Sequence, residues 1–144
     1  MLLKLPIAFL LMAVCVTIHA AGLTAIFRWM HARLAHGARR FKPATWMLIR
    51  VASWTVLLHL TQILVWASAY AVGGAMRDFT TAAYFSAVTY TTTGYGDLVL
   101  PEDWRLVGGV EALTGILMCG LSTGMFFAVF LRIFGLSGNH DSAE

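Results

Sequence analysis

Charge is scarce in this chain. Aspartate, glutamate, lysine and arginine make up 12% of its 144 residues, and hydrophobic residues 59%. Soluble domains carry about 45–50% apolar residues. An ordinary soluble domain is therefore excluded, and a polytopic membrane protein is the class that remains. Cysteine is scarcer still. Cys15 and Cys119 lie in separate apolar runs, with no CxxC spacing and no neighbouring ligand set. That argues against a metal centre or a disulfide and points to two buried thiols. There is no Gly-rich phosphate loop, no nucleophile–base pair and no metal-ligand spacing, so nothing here supports an enzyme. Internal repeats and low-complexity tracts are also missing.

Acids are absent from residues 28–50, which hold Arg28, Arg33, Arg39, Arg40, Lys42 and Arg50, six of the ten Lys and Arg. His31 and His36 add to them, and Gly37 and Pro43 interrupt the stretch. A cytoplasmic connector obeying the positive-inside rule explains this pattern. A surface helix over residues 28–36, resting on anionic lipid headgroups, is compatible with it. Nucleic acid is not needed to account for six cations between two spans.

The uncharged runs on either side read as spans. Residues 5–27 carry no charge and are long enough to cross about 30 Å of hydrocarbon at about 1.5 Å per residue. A secretory signal peptide is the alternative, but the run is longer than such segments and its cleavage sites are poor. Residues 51–76 are again uncharged, with Trp46, Trp54, Trp66 and Tyr70 near the ends, as in aromatic belts. Gly73-Gly74 should stop this helix, and Arg77-Asp78 marks water. A last uncharged run, 112–131, ends at Arg132. If the basic connector is cytoplasmic, the N-terminus is outside and the C-terminus inside.

Residues 79–92 are too short and polar to span. Asp78 or Thr80 can cap a short helix here. A re-entrant helix over residues 80–90 would aim its C-terminal carbonyls at a cation, which is tolerable at membrane depth only beside protein or a water-filled cavity. It leads into Thr91-Thr92-Thr93-Gly94-Tyr95-Gly96-Asp97, towards the outer face on this charge map.

Thr92-Thr93-Gly94-Tyr95-Gly96 resembles the Thr-Val-Gly-Tyr-Gly filter of potassium channels, whose backbone carbonyls replace the ion's hydration shell. The wider stretch 46–134 resembles the pore module of the potassium-channel superfamily. Its last helix is similar to bacterial inward-rectifier-type channels, through Glu111, Gly115 and Leu121-Ser122-Thr123-Gly124, with Phe85-Ser86 before the filter. Three departures stand out. Thr93 replaces valine or isoleucine, Val88 stands where many relatives have an acid, and the large cytoplasmic domain of that branch has no counterpart. Cys119 occupies the place of a polyamine-binding acid, so strong rectification is not expected.

The resemblance implies an all-α membrane protein: three transmembrane helices plus a re-entrant pore helix and filter loop, assembled as a homotetramer. Its expected parts are an N-terminal helix (1–28), a basic linker (29–45), the pore domain (46–134) and a short tail (135–144). Within the pore domain they are an outer helix (46–71), a pore helix (80–91), the filter (92–97) and an inner helix (105–134). It implies K+ held by Thr92, Thr93, Gly94 and Tyr95, with Gly96 completing the filter, and no organic cofactor. Asp97 forms the pore mouth, or a hydrogen bond to the pore-helix side. Tyr84 and Phe85 brace Tyr95. Glu111 supports the filter from behind as partner of the Thr93 hydroxyl, or else reaches the outer interface. Gly115 is the expected hinge, Gly120 and Gly124 are close-packing sites, and Phe126 and Phe130 are gate candidates. His19 and His59 lie mid-span, either as pH sensors or as neutral groups bonded between helices. The expected function is passive, K+-selective conduction across a cell membrane, by the resemblance a bacterial inner membrane. The alternatives are a weakly selective cation channel and a non-conducting subunit that joins other channel chains.

Overall fold

The computed structural model describes residues 2–35 and 41–134. They form four α-helices: α1 (Leu5–Ala35), α2 (Phe41–Val72), α3 (Phe79–Tyr90) and α4 (Arg105–Ile133). Short 3-10 turns, Leu2–Lys4 and Glu102–Trp104, precede α1 and α4. No strand occurs among the described residues. Three helices are long and apolar enough to cross a membrane, over Leu5–Ala32, Thr45–Val72 and Glu102–Arg132. The fold is all-α.

Two helices outrun the spans expected from charge. α1 continues through Arg28 to Ala35, and α2 starts at Phe41. The linker expected over 29–45 thus gives residues 29–35 to α1 and 41–45 to α2. Arginine, alanine and leucine are good helix formers, so their charge marks the membrane boundary and not the helix end. Pro43 falls in the first turn of α2, where a missing N–H costs nothing. His36, Gly37, Arg39, Arg40 and the tail 135–144 lie outside the described residues.

α2 stops where the glycine pair begins. Gly74 has φ +69°, and the amides of Ala75 and Met76 both fold back on the Tyr70 carbonyl, at 2.9 and 3.3 Å. α3 starts at Asp78, whose carboxylate accepts from the Thr81 amide and hydroxyl, each at 2.8 Å. The short helix then wedges between α2 and α4.

α1 and α4 run in the same direction, with α2 antiparallel to both. At one end Lys4 Nζ lies 2.5 Å from Asp103 and 4.0 Å above the Trp104 ring. At the other, Arg132 lies 2.8 Å from the His31 ring. Two apolar cores fill the bundle between these ends. One contains Cys15, Trp66, Tyr70, Tyr90, Trp104 and Met118; the other contains Ile26, Met30, Met47, Val51, Met125 and Val129. A layer of polar side chains lies between the cores. Two expectations change here. Trp66 and Tyr70 are fully buried and not in an interfacial belt, whereas Trp46 and Trp54 are exposed. Cys119 lies on an exposed face of α4, and only Cys15 is buried.

The Asp78 cap sets where α3 begins. The Thr81 amide, then its hydroxyl, and to a lesser degree Arg77, hold the Asp78 carboxyl below its usual range. A depressed carboxyl stabilises above its unfolded-state pKa and loses that effect as pH falls through the folded one. Asp78→Ala is expected to lower the melting temperature of the detergent-solubilised protein at neutral pH. The gap from wild type should close below about pH 4.

Candidate ion-coordinating site

Four consecutive amides after α3 turn back onto it. Thr91 N donates to Ala87 O, Thr92 N to Thr89 O, and both Thr93 N and Gly94 N to Val88 O, at 2.9–3.3 Å. In a trans peptide the C=O points opposite to the N–H it shares a plane with. The carbonyls of Thr91, Thr92 and Thr93 are therefore turned away from the helix. The helix-end carbonyls expected to face a cation are themselves occupied, because these amides use them.

The backbone sign alternates beyond that point. Among residues 92–96, φ is positive at Thr92 (59°), Gly94 (57°) and Gly96 (77°), but not at Thr93 or Tyr95. Alternating hand keeps successive amides on one side of the chain and successive carbonyls on the other. Glycine adopts this geometry freely. Thr92 is the one non-glycine residue with positive φ among the described residues, at a cost of about 1–2 kcal/mol. All seven residues from Thr91 to Asp97 are exposed in the single chain.

The side chains hold this ribbon to α3. Tyr84 donates its hydroxyl to Asp97 Oδ2 at 2.7 Å, so Asp97 makes the expected bond to the pore-helix side. Between them a pocket of about 180 Å³ is lined by Phe85, Val88, Thr89, Gly96 and Leu98. Thr91 donates to Ala87 O at 2.7 Å, and the Thr93 hydroxyl lies 2.9 Å from that of Thr91. Thr91 has spent its hydrogen, so Thr93 donates to it. Glu111, expected as the partner of Thr93, is not. Nor does Tyr95 pack on Tyr84 and Phe85 within the chain. Its side chain is 70% exposed, while Phe85 sits edge-on to Tyr70, ring centroids 5.4 Å apart.

Glu111 supports the helix behind the ribbon. It is fully buried, which removes the interface reading. Tyr70 donates to its Oε2 at 2.6 Å, and Ser86 Oγ lies 2.5 Å from its Oε1. The Ser86 hydroxyl also lies 2.9 Å from Ile63 O, and one hydrogen cannot serve both acceptors. A proton on Glu111 satisfies the second contact. One turn on, a Cβ at Gly115 would fall on the carbonyl of Tyr90. Gly120 and Gly124, expected at close contacts, face open space within the chain. Phe126 and Phe130 are both partly exposed, and the Phe130 ring packs tilted against Phe134, centroids 4.7 Å apart.

Residues 53–134, more than half of the chain, match the sequence profile of a family described as ion channel. The chain belongs to that ion-channel family. A stretch of 55 residues is also 42% identical to the potassium voltage-gated channel protein Shal of Drosophila melanogaster. It covers 37% of this chain and spans 10% of that relative's length. The two matches identify a pore module of the potassium-channel superfamily. No solved structure matches the chain.

In this channel module the expected filter residues 92–97 form one ribbon on α3, and Glu111 and Gly115 meet α3 from α4. Phe126 and Phe130 lie further along α4. From sequence Gln62 went unnoticed, and Tyr70, Ser86, Tyr90 and Ser122 were read without the hydrogen bonds the structure gives them. A signal did exist for Gln62, which lies one helical turn from His59 in an otherwise apolar span. Removing the carboxyl in Glu111→Leu leaves the Tyr70 hydroxyl without its acceptor, and leaves the Ser86 oxygen, still donating to Ile63 O, without the hydrogen that Glu111 gave it. Each buried group so stranded is expected to cost about 1–3 kcal/mol, read as a drop in melting temperature. Glu111→Gln, which can fill both contacts, should lose less. Gly115→Ala should also destabilise, by about 1–3 kcal/mol, through overpacking against α3.

Proposed function

We propose that four copies of this chain form a passive, potassium-selective pore. The observation that carries this reading is the alternating ribbon at 92–96, with the amides of residues 91–94 spent on α3 and the carbonyls of residues 91–93 turned away from it. Stripping water from K+ requires carbonyls on several sides of the ion, and one chain offers one side. The exposure of residues 91–97 supports completion by other copies. Around a four-fold axis, the Thr92 hydroxyls and the carbonyls of Thr92, Thr93, Gly94 and Tyr95 would hold K+. Asp97 would place four carboxylates at the mouth and concentrate cations there. Tyr95 would find its brace on a neighbouring copy. No organic cofactor enters this scheme.

The same reading sets the orientation in a cell membrane. Lys4 and the filter share one end of the bundle, and Arg28 and Arg50 lie towards the other. With those cations inside, the filter faces out, the N-terminus lies outside and the C-terminus in the cytoplasm. Anionic lipid suits the exposed Arg28 and Arg50. Gly115 is the proposed hinge of α4, and Phe126 or Phe130 the gate near its inner end, closing by dewetting.

Thr93 favours a second reading, a weakly selective cation channel, because its hydroxyl pairs with Thr91 where valine would pack. A non-conducting subunit is the third. Flux from liposomes holding the purified protein separates them. K+ efflux well in excess of Na+ efflux is expected, and Thr93→Val should raise or keep that ratio. In Gly94→Ala the side chain meets a positive φ at a cost of about 1–2 kcal/mol per chain, and K+ flux should be lost. Equal K+ and Na+ flux would overturn selectivity, and no flux of either ion would overturn conduction.

A further inference from the structure

Five polar side chains, drawn from all four helices, close a ring in the middle of the bundle. The Tyr90 hydroxyl (α3) donates to Gln62 Oε1 (α2). Gln62 Nε2 meets His19 Nδ1 (α1) at 2.8 Å. His19 Nε2 lies 3.0 Å from Ser122 Oγ (α4). Ser122 Oγ lies 3.0 Å from His59 Nε2 (α2), and His59 Nδ1 lies 3.1 Å from the Tyr90 oxygen. Four of the five residues are buried and His59 is half-buried.

The hydrogens of this ring can be counted. Gln62 Nε2 only donates, so His19 Nδ1 accepts and its hydrogen sits on Nε2, towards Ser122. Tyr90 gives its one hydrogen to Gln62, so its oxygen receives the Nδ1 hydrogen of His59. His59 Nε2 is then bare and accepts from Ser122. Turning the Gln62 amide over reverses all five bonds and leaves the count unchanged. In both directions the two imidazoles are neutral and carry their hydrogens on opposite nitrogens.

Five contacts thus hold five hydrogens. A sixth, on either imidazole, must break a contact or turn the Ser122 hydroxyl out of the ring. It also sets a positive charge beside a second imidazole, ring centroids 5.2 Å apart, with no carboxylate in the ring. Inside a membrane such a charge is costly. The other titratable groups near the ring are Cys15 on α1, Tyr90 itself on α3, and Cys119 and Glu111 on α4. Glu111 is already engaged by Tyr70 and Ser86.

The ring touches the filter through Tyr90, the last residue of α3. The Thr91 and Thr92 amides that follow begin the ribbon, and the Tyr90 carbonyl rests on Gly115. We propose that the ring is a proton-sensitive lock on the filter: His19, Gln62, His59 and Ser122 act as positioning residues through Tyr90. The first helix supplies His19 and so becomes part of the pore's support. Proton uptake opens the ring, frees the end of α3 and lowers flux. The proposal rests on the reading of this chain as a conducting potassium channel.

The test uses the whole chain in lipid vesicles, with His31, His36 and His140 replaced by glutamine so that the ring histidines are the only imidazoles. K+ efflux is expected to fall by about fivefold or more, a usual size for coupling between sites, between about pH 6.5 and 4.5, on the acid side of a free imidazole because the ring resists the charge. The His19→Gln/His59→Gln variant should lose that pH dependence, and Tyr90→Phe, which uncouples the ring from α3, should weaken it. K+ efflux that stays level with pH, or a double variant that keeps the fall, overturns the lock and leaves the channel reading standing. Nitrogen NMR of the labelled imidazoles gives a readout that needs no conduction. At pH 7.5 one ring should carry its hydrogen on Nδ1 and the other on Nε2. The same nitrogen in both, or a charged imidazole, overturns the proposal. Opposite tautomers without K+ efflux at any pH overturn the channel reading and the lock with it.

Discussion

The structure depends on where the amides of residues 91–94 go. At membrane depth an unpaired backbone group costs several kcal/mol, and an irregular ribbon has no partner of its own. Here α3 supplies the partners through the carbonyls of Ala87, Val88 and Thr89. Spending the amides in that way leaves the carbonyls free for a cation. A helix of twelve residues thus solves the solvation problem of the backbone and leaves open the carbonyls that the proposed function assigns to the ion.

A helix that short is marginal alone, so most of the remaining polar chemistry serves to hold α3. Asp78 fixes its start. Ser86 hangs on Glu111, which Tyr70 holds from the other side. Tyr90 reaches Gln62 and His59, and its carbonyl lies against Gly115. Tyr84 carries the connection out to Asp97. Together these contacts tie α3 to α2, to α4 and to the loop beyond the ribbon. The position of the ribbon is therefore set by the whole bundle and not by its own residues.

Much of this was legible in the sequence. Charge-free runs located the three spans and Gly73-Gly74 the stop of α2, while the start of α3 was left between Asp78 and Thr80 and falls to Asp78. The ribbon was legible because glycines two residues apart are what an alternating backbone needs. The support was less so. Glu111 showed itself as an acid within an apolar helix, but its partners did not. Ser86 and Tyr70 lie 25 and 41 residues away, and no local spacing encodes such a pairing. Thr93 and Tyr95 were assigned partners that the chain does not give them. In the first case the nearer hydroxyl of Thr91 wins. In the second the side chain faces outwards. The ends of α1 and α2 were read too short because charge reports the membrane boundary, while helix propensity continues past it.

The parallel pair formed by α1 and α4 has a mechanical consequence. The two helices are tied near both ends, by Lys4 with Asp103 and by Arg132 with His31, and by the Ile26, Met30, Met125 and Val129 packing near the second. The C-terminal end of α4 therefore cannot swing alone. It must carry α1 with it or shear that packing. If α4 bends at the hinge proposed for Gly115, the moving part is a two-helix lever, and its stiffness is set as much by the first helix as by α4.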